Sequence, residues 1–262
     1  MHQKPKKSLG QNFLVDQNIQ NKIVNSCDLK PTEVILEVGA GRGELTKLLA
    51  PRVQRLVAVE IDRSLCRELA DIRNATVLNR DILKLDLNKH FRNKKVKIKV
   101  IGNIPYYISS PIIEHLLQYR KRILAIFLTV QKEFAQRVVA APGSKVYGSL
   151  SCFVQYYAEP KILFTISKNS FYPAPKVDSA FIQLKVRPKT ALSGRKEKLL
   201  FRIIRASFNQ RRKTLRNSLS GLLDPSKLDS FFKSERVSPD TRPEDLTLKS
   251  FIKLACLKNS KK

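Results

Sequence analysis

The sequence lacks several features that would place it in a special class of protein. Its apolar runs are far shorter than the roughly 20 residues that a membrane-spanning helix needs. The basic N-terminus is followed by no apolar stretch, so we expect no secretory signal. Its 9 Gly and 13 Pro follow no period, which excludes a collagen-like chain. The class that remains is a globular protein without a membrane anchor.

Cysteine and histidine are equally uninformative as site residues. The 4 Cys are scattered and contain no Cys-x-x-Cys pair. We therefore expect reduced thiols in a cytoplasmic protein, with neither a disulfide framework nor a zinc site. The 3 His (His2, His90 and His115) stand in no ligand spacing. The sequence therefore predicts no metal.

Acidic residues are scarce. The chain has 22 Asp and Glu against 50 Lys and Arg, a formal net charge of +28. Such a chain repels itself unless an anion binds it, and nucleic acid is the favoured partner, with solubility as the alternative explanation. Residues 189–262 carry 19 Lys and Arg against 7 Asp and Glu, about twice the density of positive charge of the first 188 residues.

Short apolar runs alternate with helical patterns through the first 188 residues. This alternation predicts an α/β fold with a mostly parallel, Rossmann-like sheet. Sheets of this kind bind ligands at the carboxyl ends of their strands, where Gly39, Glu60, Asp81 and Asn103 are expected. The predicted strands are 33–38, 55–60, 75–79, 96–101, 124–130, 161–166 and 181–186.

The pattern changes after Pro188. A helical stretch begins near Lys196, and its apolar positions recur at helical spacing as far as Leu219. Two more helices are expected near 225–233 and 247–257. We therefore predict a catalytic domain over 1–188 and a small, basic all-α domain over 189–262.

The first strand ends in the glycine-rich run Gly39-Ala-Gly-Arg-Gly43. Gly39 and Gly41 let the backbone approach a ligand, and Glu60 at the next strand end can accept two ribose hydroxyls. Glu44 replaces the third small residue of a dinucleotide fingerprint. The run instead resembles the S-adenosyl-L-methionine loop of class I methyltransferases, in which Asp81 matches the acid that holds the adenine amine. Packing glycines and a helix cap at Asp81 are the alternatives.

The segment Asn103-Ile-Pro-Tyr106 follows the fourth strand. It resembles the motif of methyltransferases that act on exocyclic amino groups, although Asn-x-Pro alone is ordinary turn chemistry. An amide oxygen of Asn103 and a backbone carbonyl near Pro105 can hold the N–H groups of an adenine amine. Tyr106 offers a flat face on which an extruded base can stack.

Several segments together resemble the bacterial small-subunit ribosomal RNA adenine N6,N6-dimethyltransferases (the KsgA family). The resemblance covers almost the whole chain. It implies dimethylation of two adjacent adenosines in the 3′-terminal hairpin loop of 16S rRNA, with the immature 30S subunit as partner and a link to subunit assembly. A monomer is the default expectation. The segments are Lys6–Leu14, Gly39–Gly43, Asn103–Ile108, Gln131–Glu133, Phe171–Ala180 and Asn209–Arg216.

The resemblance also assigns roles to residues. Asn12 and Leu14 would border the methionine end of the cofactor, and Phe171 would form a second aromatic wall facing Tyr106. The remaining cofactor residues would be Gly39, Gly41, Glu60, Asp81 and Asn103. The chain departs from the usual family pattern at two positions, with Ile104 in place of Leu and Tyr107 in place of Asn.

A basic stretch near residue 210 is the expected RNA contact. On one continuous helix, Arg205, Arg212 and Arg216 would share a face beside Lys213 and bind phosphates. Like charges at i, i+4 repel each other unless an anion lies between them. Lys4, Lys6 and Lys7 form a possible second contact, and a solvated basic face is the alternative interpretation.

Two rival functions share most of these features. The antibiotic-resistance methyltransferases of large-subunit rRNA have the same fold and a related Asn-x-Pro-aromatic motif. A ribosome-assembly factor without catalytic activity would bind RNA equally well. The segments Phe171–Ala180 and Asn209–Arg216 favour the small-subunit enzyme, and the intact strand-end residues argue against a pure binding protein.

Overall fold

The computed structural model describes residues 4–93, 95–209 and 213–257. It divides the chain into two compact units. The first comprises the described residues of Met1–Ala135 and Ala158–Pro188, and the second those of Gln136–Tyr157 and Lys189–Lys262. None of the helices described is long and apolar enough to cross a lipid bilayer.

The first unit is built on a seven-stranded sheet that contains all seven predicted strands. The strands of the molecule are β1 (Phe13–Leu14), β2 (Val34–Val38), β3 (Arg55–Glu60), β4 (Ala75–Asn79), β5 (Ile98–Asn103), β6 (Ile123–Gln131), β7 (Ala158–Ile166), β8 (Phe171–Tyr172) and β9 (Ser179–Val186). The order in the large sheet is β4-β3-β2-β5-β6-β9-β7. β1 pairs with β8 in a separate antiparallel ribbon that the sequence pattern did not predict.

The large sheet is parallel from β4 to β6 and antiparallel at β9 and β7. Consecutive residues of β6 are buried on both faces, including Ile126, Phe127 and Leu128. A strand covered by other elements on both sides carries a continuous apolar run for this reason. The mostly parallel, Rossmann-like α/β fold predicted from the sequence is confirmed.

Eleven α-helices are present in the described residues. They are α1 (Gln17–Ser26), α2 (Glu44–Leu49), α3 (Arg63–Leu69), α4 (Leu87–His90), α5 (Ser109–Gln118), α6 (Lys132–Val139), α7 (Ser149–Tyr157), α8 (Gly194–Asn209), α9 (Leu215–Leu219), α10 (Pro225–Glu235) and α11 (Leu248–Cys256). Caps determine where several of them begin. Asp16, for example, accepts the backbone N–H groups of Asn18 and Ile19 at 3.0 and 3.2 Å at the start of α1.

The expected domain boundary needs a correction. The chain passes from the first unit to the second at residue 188, but the segment 136–157, which we placed in the first domain, belongs to the second unit. Aromatic packing explains this placement. The ring of Phe153 on α7 lies 5.4 Å from that of Phe201 on α8, and the Tyr157 hydroxyl donates to Glu197 at 2.5 Å. An insertion in the first domain's sequence thus completes the helical unit.

The helix predicted to run from residue 196 to 219 is also corrected. α8 ends at Asn209, and α9 is a separate short helix that starts at Leu215. Thr214 caps α9 by accepting the backbone N–H of Asn217 at 3.4 Å. Leu200 and Ile204 on α8 and Leu215 and Leu219 on α9 are all buried, so both helices keep the apolar pattern. The apolar residues therefore keep a helical spacing, although they belong to two separate helices.

Gly102 supplies a test of the sheet. A Cβ atom there would lie 2.6 Å from the carbonyl oxygen of Val38 on the neighbouring strand β2. We expect Gly102→Ala to lower the free energy of unfolding by about 1–3 kcal/mol, because β2 and β5 must move apart. Urea unfolding of both proteins measures this difference. Equal stability would show that β2 and β5 are not packed as closely as described.

Candidate active site

A pocket lies at the carboxyl ends of the parallel strands in the first unit. It brings together nine of the ten residues predicted to bind cofactor or target base. They are Asn12, Leu14, Gly39, Gly41, Glu60, Asp81, Asn103, Pro105 and Tyr106. Parallel strands end at one edge of a sheet, and residues far apart in sequence therefore meet there.

The glycines of the run Gly39–Gly43 differ in their surroundings. Gly39 and Gly41 line the pocket with φ angles of +75° and +59°, a region that side chains with a Cβ rarely adopt. A Cβ on Gly39 would lie 3.1 Å from the backbone oxygen of Asn103. Gly43 serves packing, because its Cβ would lie 2.5 Å from the side chain of Leu69. The packing interpretation therefore fits Gly43, while the position of Gly39 and Gly41 is compatible with the predicted ligand role.

Glu60 is the central polar group of the pocket. Its side chain is buried, and each carboxylate oxygen accepts one backbone N–H, from Gly41 and from Asp62, both at 2.9 Å. Burial raises the pKa of Glu60, while these hydrogen bonds act in the opposite direction. A carboxylate oxygen has two lone pairs, so each can still accept a hydroxyl of a ligand.

Asp81 is a helix cap that also lines the pocket. One carboxylate oxygen accepts the N–H of Leu83 at 2.9 Å and caps the short 3-10 helix Ile82–Lys84. The same residue lines the pocket beside Arg80. A cap does not exclude a ligand role, because the carboxylate has further lone pairs.

Asn103 holds the N-terminal segment against the end of β5. Its side-chain amide donates to the backbone oxygen of Asn12 at 3.0 Å. This bond orients the amide group, and the amide oxygen stays available as an acceptor. The backbone oxygen of Pro105 accepts the N–H of Ile108 at 3.3 Å and retains one lone pair.

Tyr106 is held at both ends. Its hydroxyl lies 2.5 Å from the Ser179 hydroxyl, and its backbone oxygen accepts the hydroxyl of Ser109 at 3.0 Å. Burial raises the pKa of Tyr106, and the bond with Ser179 partly offsets that effect. The neutral phenol therefore persists at physiological pH, and the residue presents a ring of fixed position to the pocket.

Phe171 requires a correction. We expected it to face Tyr106 across the target base, but its side chain is only 3% exposed and lies in the apolar core with Leu14 and Phe181. Its neighbour Tyr172 is 57% exposed. The two residues form strand β8, in which successive side chains point to opposite faces, and the pairing with β1 turns Phe171 inward. In this structure Phe171 is a core residue.

The predicted RNA-contact residues do not share one helix face. Arg205 is exposed on α8 and Lys213 is exposed beyond its end, whereas Arg212 lies outside the described residues. Arg216 lies on α9, where it forms an ion pair with Asp229 and its guanidinium is 5.4 Å from the centre of the Phe232 ring. The continuous helix face predicted for Arg205 and Arg216 is wrong, because α8 ends at Asn209 and α9 begins at Leu215.

Among the acidic residues in and beside the site that were not assigned from the sequence, two are informative. The first is Glu37, the residue at position one of the Glu-x-Gly-x-Gly pattern. It is 1% exposed, its Oε2 atom has no hydrogen-bond partner in the described structure, and burial raises its pKa to about 8. Glu37 lies on β2, two residues before Gly39 in the chain, and lines the pocket. The glycine pattern itself was the signal that could have identified it.

The second is Asp62, which fastens the N-terminal segment 6–14. Asp62 accepts the ammonium of Lys6 at 2.8 Å and the side-chain amide of Gln11 at 3.2 Å. Burial acts to raise its pKa, but the hydrogen bonds from Lys6, Ser64 and Gln11 lower it to about 2. The segment so fastened supplies Leu9 to Leu14 to the pocket lining.

Known proteins similar to this chain are consistent with this geometry. Curated relatives named ribosomal RNA small subunit methyltransferase A are 40% identical over 257 residues in Alkaliphilus metalliredigens and 42% identical over 262 residues in Streptococcus pneumoniae. In both cases 95% of this chain and 90% of the relative are covered.

Solved structures show the same fold. A dimethyladenosine transferase from Plasmodium falciparum aligns with a TM-score of 0.76 and 25% identity, over 92% of this chain and 95% of its own. The 23S rRNA methyltransferase ErmE aligns with a TM-score of 0.73 and 24% identity, over 93% of this chain and 98% of its own. The likeness to ErmE shows the fold alone.

The fold and the glycine loop beside a strand-end carboxylate define a Rossmann-like methyltransferase. Within that class the assignment is narrower. The family model for ribosomal RNA adenine dimethylases matches residues 2–259, and the chain belongs to this family.

The contact between Asp62 and the N-terminal segment can be tested by proteolysis. Asp62→Asn removes the charge that Lys6 and Gln11 bind, and we expect trypsin to cleave after Lys6 and Lys7 up to about fivefold faster, since a half-exposed ion pair contributes no more than about 1 kcal/mol. The pKa of Asp62 is below its unfolded value of about 3.9, so the contact is complete above that pH and is lost as the pH falls towards 2.

The cleavage difference is therefore expected to be constant between about pH 5 and 8. Asp71→Asn is the matched control, because Asp71 is an exposed carboxylate without a bond to the segment. Equal cleavage of wild type and Asp62→Asn would show that other contacts hold the segment.

Proposed function

We propose that this protein transfers methyl groups from S-adenosyl-L-methionine to N6 of two adjacent adenosines in the 3′-terminal hairpin loop of small-subunit 16S rRNA. The substrate is the immature 30S subunit, and methylation is coupled to its assembly. Bacterial relatives that are at least 40% identical over 95% of the chain, and are named as small-subunit methyltransferases, support the choice of subunit. The strand-end pocket with Asn103 and Tyr106 supports the chemistry.

The pocket suits this methyl donor. Gly39 and Gly41 leave a cradle that a Cβ would fill, and Glu60 keeps lone pairs for two ribose hydroxyls. Asp81 would hold the adenine amine, and Asn12 and Leu14 would border the methionine end. When bound, S-adenosyl-L-methionine supplies an electrophilic methyl group on a positively charged sulfur. The carboxyl groups of Glu60 and Asp81 would attract a ligand that carries positive charge.

The chain's own residues act on the adenine amine. The N6 lone pair of adenine is delocalised into the ring and is a weak nucleophile. The Asn103 amide oxygen and a backbone carbonyl near Pro105 accept the N6 hydrogens, which localises the lone pair towards the incoming carbon. The new bond between N6 and the methyl carbon would form as the sulfur–methyl bond of the donor breaks, with its electron pair staying on sulfur, and the N6 proton would leave to solvent. Tyr106, fixed by Ser179, stacks on the base and holds it in line.

RNA outside the pocket is held by phosphate contacts in this proposal. Arg205 and Lys213 of the second unit are exposed and make no ion pair within the described residues. Arg216 contributes less, because Asp229 already neutralises it. Phosphate contacts set the register of the RNA without reading its sequence.

The function is tested with ribosomal particles that lack methylation. Wild-type protein and labelled S-adenosyl-L-methionine are incubated with small or large subunits, and the modified nucleotides are mapped. We expect dimethyladenosine at two adjacent positions of 16S rRNA only. Glu60→Gln should bind the methyl donor at least about tenfold more weakly, because it places N–H groups opposite backbone donors, a loss of about 1.5–3 kcal/mol.

Two outcomes would overturn the proposal. Methylation of large subunits alone would favour the resistance-type enzyme, and absence of methylation with tight particle binding would favour an assembly factor. Calorimetric titration of Glu60→Gln with the methyl donor separates a binding defect from a chemical defect. The circular dichroism spectrum of the Glu60→Gln protein must match that of the wild type, which shows that the variant is folded.

Substitutions of Tyr106 and Phe171 are predicted to have different effects, the first on the methylation rate and the second on protein stability. Tyr106→Ala should lower the methylation rate by about 5- to 150-fold, the equivalent of 1–3 kcal/mol of base stacking, and leave methyl-donor affinity nearly unchanged. Tyr106→Phe should stay active because it keeps the ring. Phe171→Ala should instead lower the free energy of unfolding by about 3–5 kcal/mol, because it empties core volume.

Single-turnover methylation and urea unfolding of the three variants give both readouts. A Phe171→Ala protein that is as stable as wild type but inactive would restore Phe171 as a wall of the base pocket. Normal activity of Tyr106→Ala would place the target base elsewhere.

A further inference from the structure

The edge of the large sheet opposite the pocket is strongly basic. There the parallel strands β2 to β6 begin, and their preceding loops meet. Leu56 donates its backbone N–H to Asn74 at 3.2 Å, and Ile98 donates to Arg122 at 2.9 Å. Six of the exposed cations of these loops are called the rear-edge cations, and they are Arg55, Arg73, Arg92, Lys95, Lys97 and Lys121.

Charge is distributed unequally between the two edges. The segments that lead into the five parallel strands contain eleven Lys and Arg against three Asp and Glu; they are 27–33, 50–55, 70–74, 91–97 and 119–122. The segments that follow the same strands contain five of each; they are 39–44, 61–64, 80–86, 104–109 and 132–134. The excess of positive charge in this part of the unit is therefore on the edge away from the pocket.

Acidic side chains of the described residues do not neutralise the rear-edge cations. None of the six forms an ion pair in the part of the chain that the structure describes. Of the three acids in the loops, Glu33 is already paired with Lys99 at 3.0 Å. Like charges crowded on one edge repel one another, and a bound polyanion relieves that repulsion.

The rear edge also has a shallow depression between β2, β3 and β4. It is lined by polar side chains of Gln54, Arg55, Asn74 and Thr76. The Asn74 amide donates to the backbone oxygens of Ala50 and Val53 at 2.9 and 2.8 Å, which fixes the loops around the depression. A rigid concave surface with a guanidinium and hydroxyl and amide groups suits a phosphate oxygen.

The distance to the pocket determines which part of an RNA can reach this edge. β5 runs from Ile98 at the rear edge to Asn103 at the pocket, and five residue steps of about 3.3 Å separate the two edges by about 17 Å. A base in the pocket and a phosphate at the rear edge therefore lie at opposite edges of the sheet, with the body of the unit between them.

We propose that the rear-edge cations form a second RNA-docking surface, which binds the phosphodiester backbone of a ribosomal RNA helix other than the hairpin whose adenine enters the pocket. This inference rests on the proposed function for the identity of the RNA. It explains why the basic edge is distant from the pocket, since a folded ribosomal particle presents several helices to one protein. An isolated hairpin presents only one.

A triple variant tests the surface. Arg73→Gln, Lys95→Gln and Lys121→Gln together remove three cations whose side chains hold no ion pair in the described structure. Affinity is measured at several salt concentrations for unmethylated 30S particles, for extracted 16S rRNA and for a short hairpin with the target loop. For 30S particles the log–log salt slope should fall by about 0.7–0.9 per lost contact, or about 2–3 in total. Affinities for the hairpin and for the methyl donor should not change.

A matched variant controls for net charge. Lys47→Gln, Arg67→Gln and Lys161→Gln remove the same charge from exposed positions of the first unit that are not on the rear edge. Equal slope changes in both triple variants, or no change in the rear-edge variant, would overturn the docking surface. If the rear-edge variant binds vesicles of anionic lipid more weakly while its salt slope for 30S particles is unchanged, the RNA-docking surface is also overturned. That result would show that the rear edge binds a membrane surface instead. Failure of the proposed function is seen separately, as absence of methylation by the wild type.

Discussion

The pocket depends on one buried carboxylate. Glu60 is taken out of water at the end of β3, and this costs free energy unless its oxygens are hydrogen-bonded. Two backbone N–H groups supply those bonds, one from the glycine loop after β2 and one from Asp62 at the start of α3. The same carboxylate thus fixes the curvature of the glycine loop and the start of the next helix. A change at Glu60 disturbs the loop geometry as well as any ligand bond.

From Glu60 the arrangement continues to the N-terminal segment. Asp62, whose own N–H binds Glu60, accepts Lys6 and Gln11, and Asn103 holds Asn12 at the other end of the pocket. The segment that closes the pocket is therefore fastened at both of its sides to strand-end residues. Each of these contacts is a polar contact of modest strength.

The distribution of charge in the first unit separates two tasks. Carboxyl groups with raised pKa, Glu37 and Glu60, lie in the pocket, while exposed cations are concentrated on the opposite edge of the sheet. Acids inside and bases outside suit a protein that binds a cationic small molecule and a polyanionic partner at once. A net charge of +28 states only that a polyanion is involved. The surface that binds the polyanion can be identified only from the topology of the fold.

The sequence by itself determined the strands, the parallel sheet and most of the pocket, because each of Gly39, Glu60, Asp81 and Asn103 directly follows an apolar run whose end is readable from the chain. Tertiary structure decided the rest. Pairing of β8 with β1 turned Phe171 into the core, and packing of α7 on α8 moved residues 136–157 into the helical unit. Arg216 forms an ion pair with Asp229, thirteen residues away, which the helical pattern did not predict. Local patterns specify which residues form a strand or helix, but the partner of each face depends on contacts between segments distant in sequence, which a periodicity does not contain.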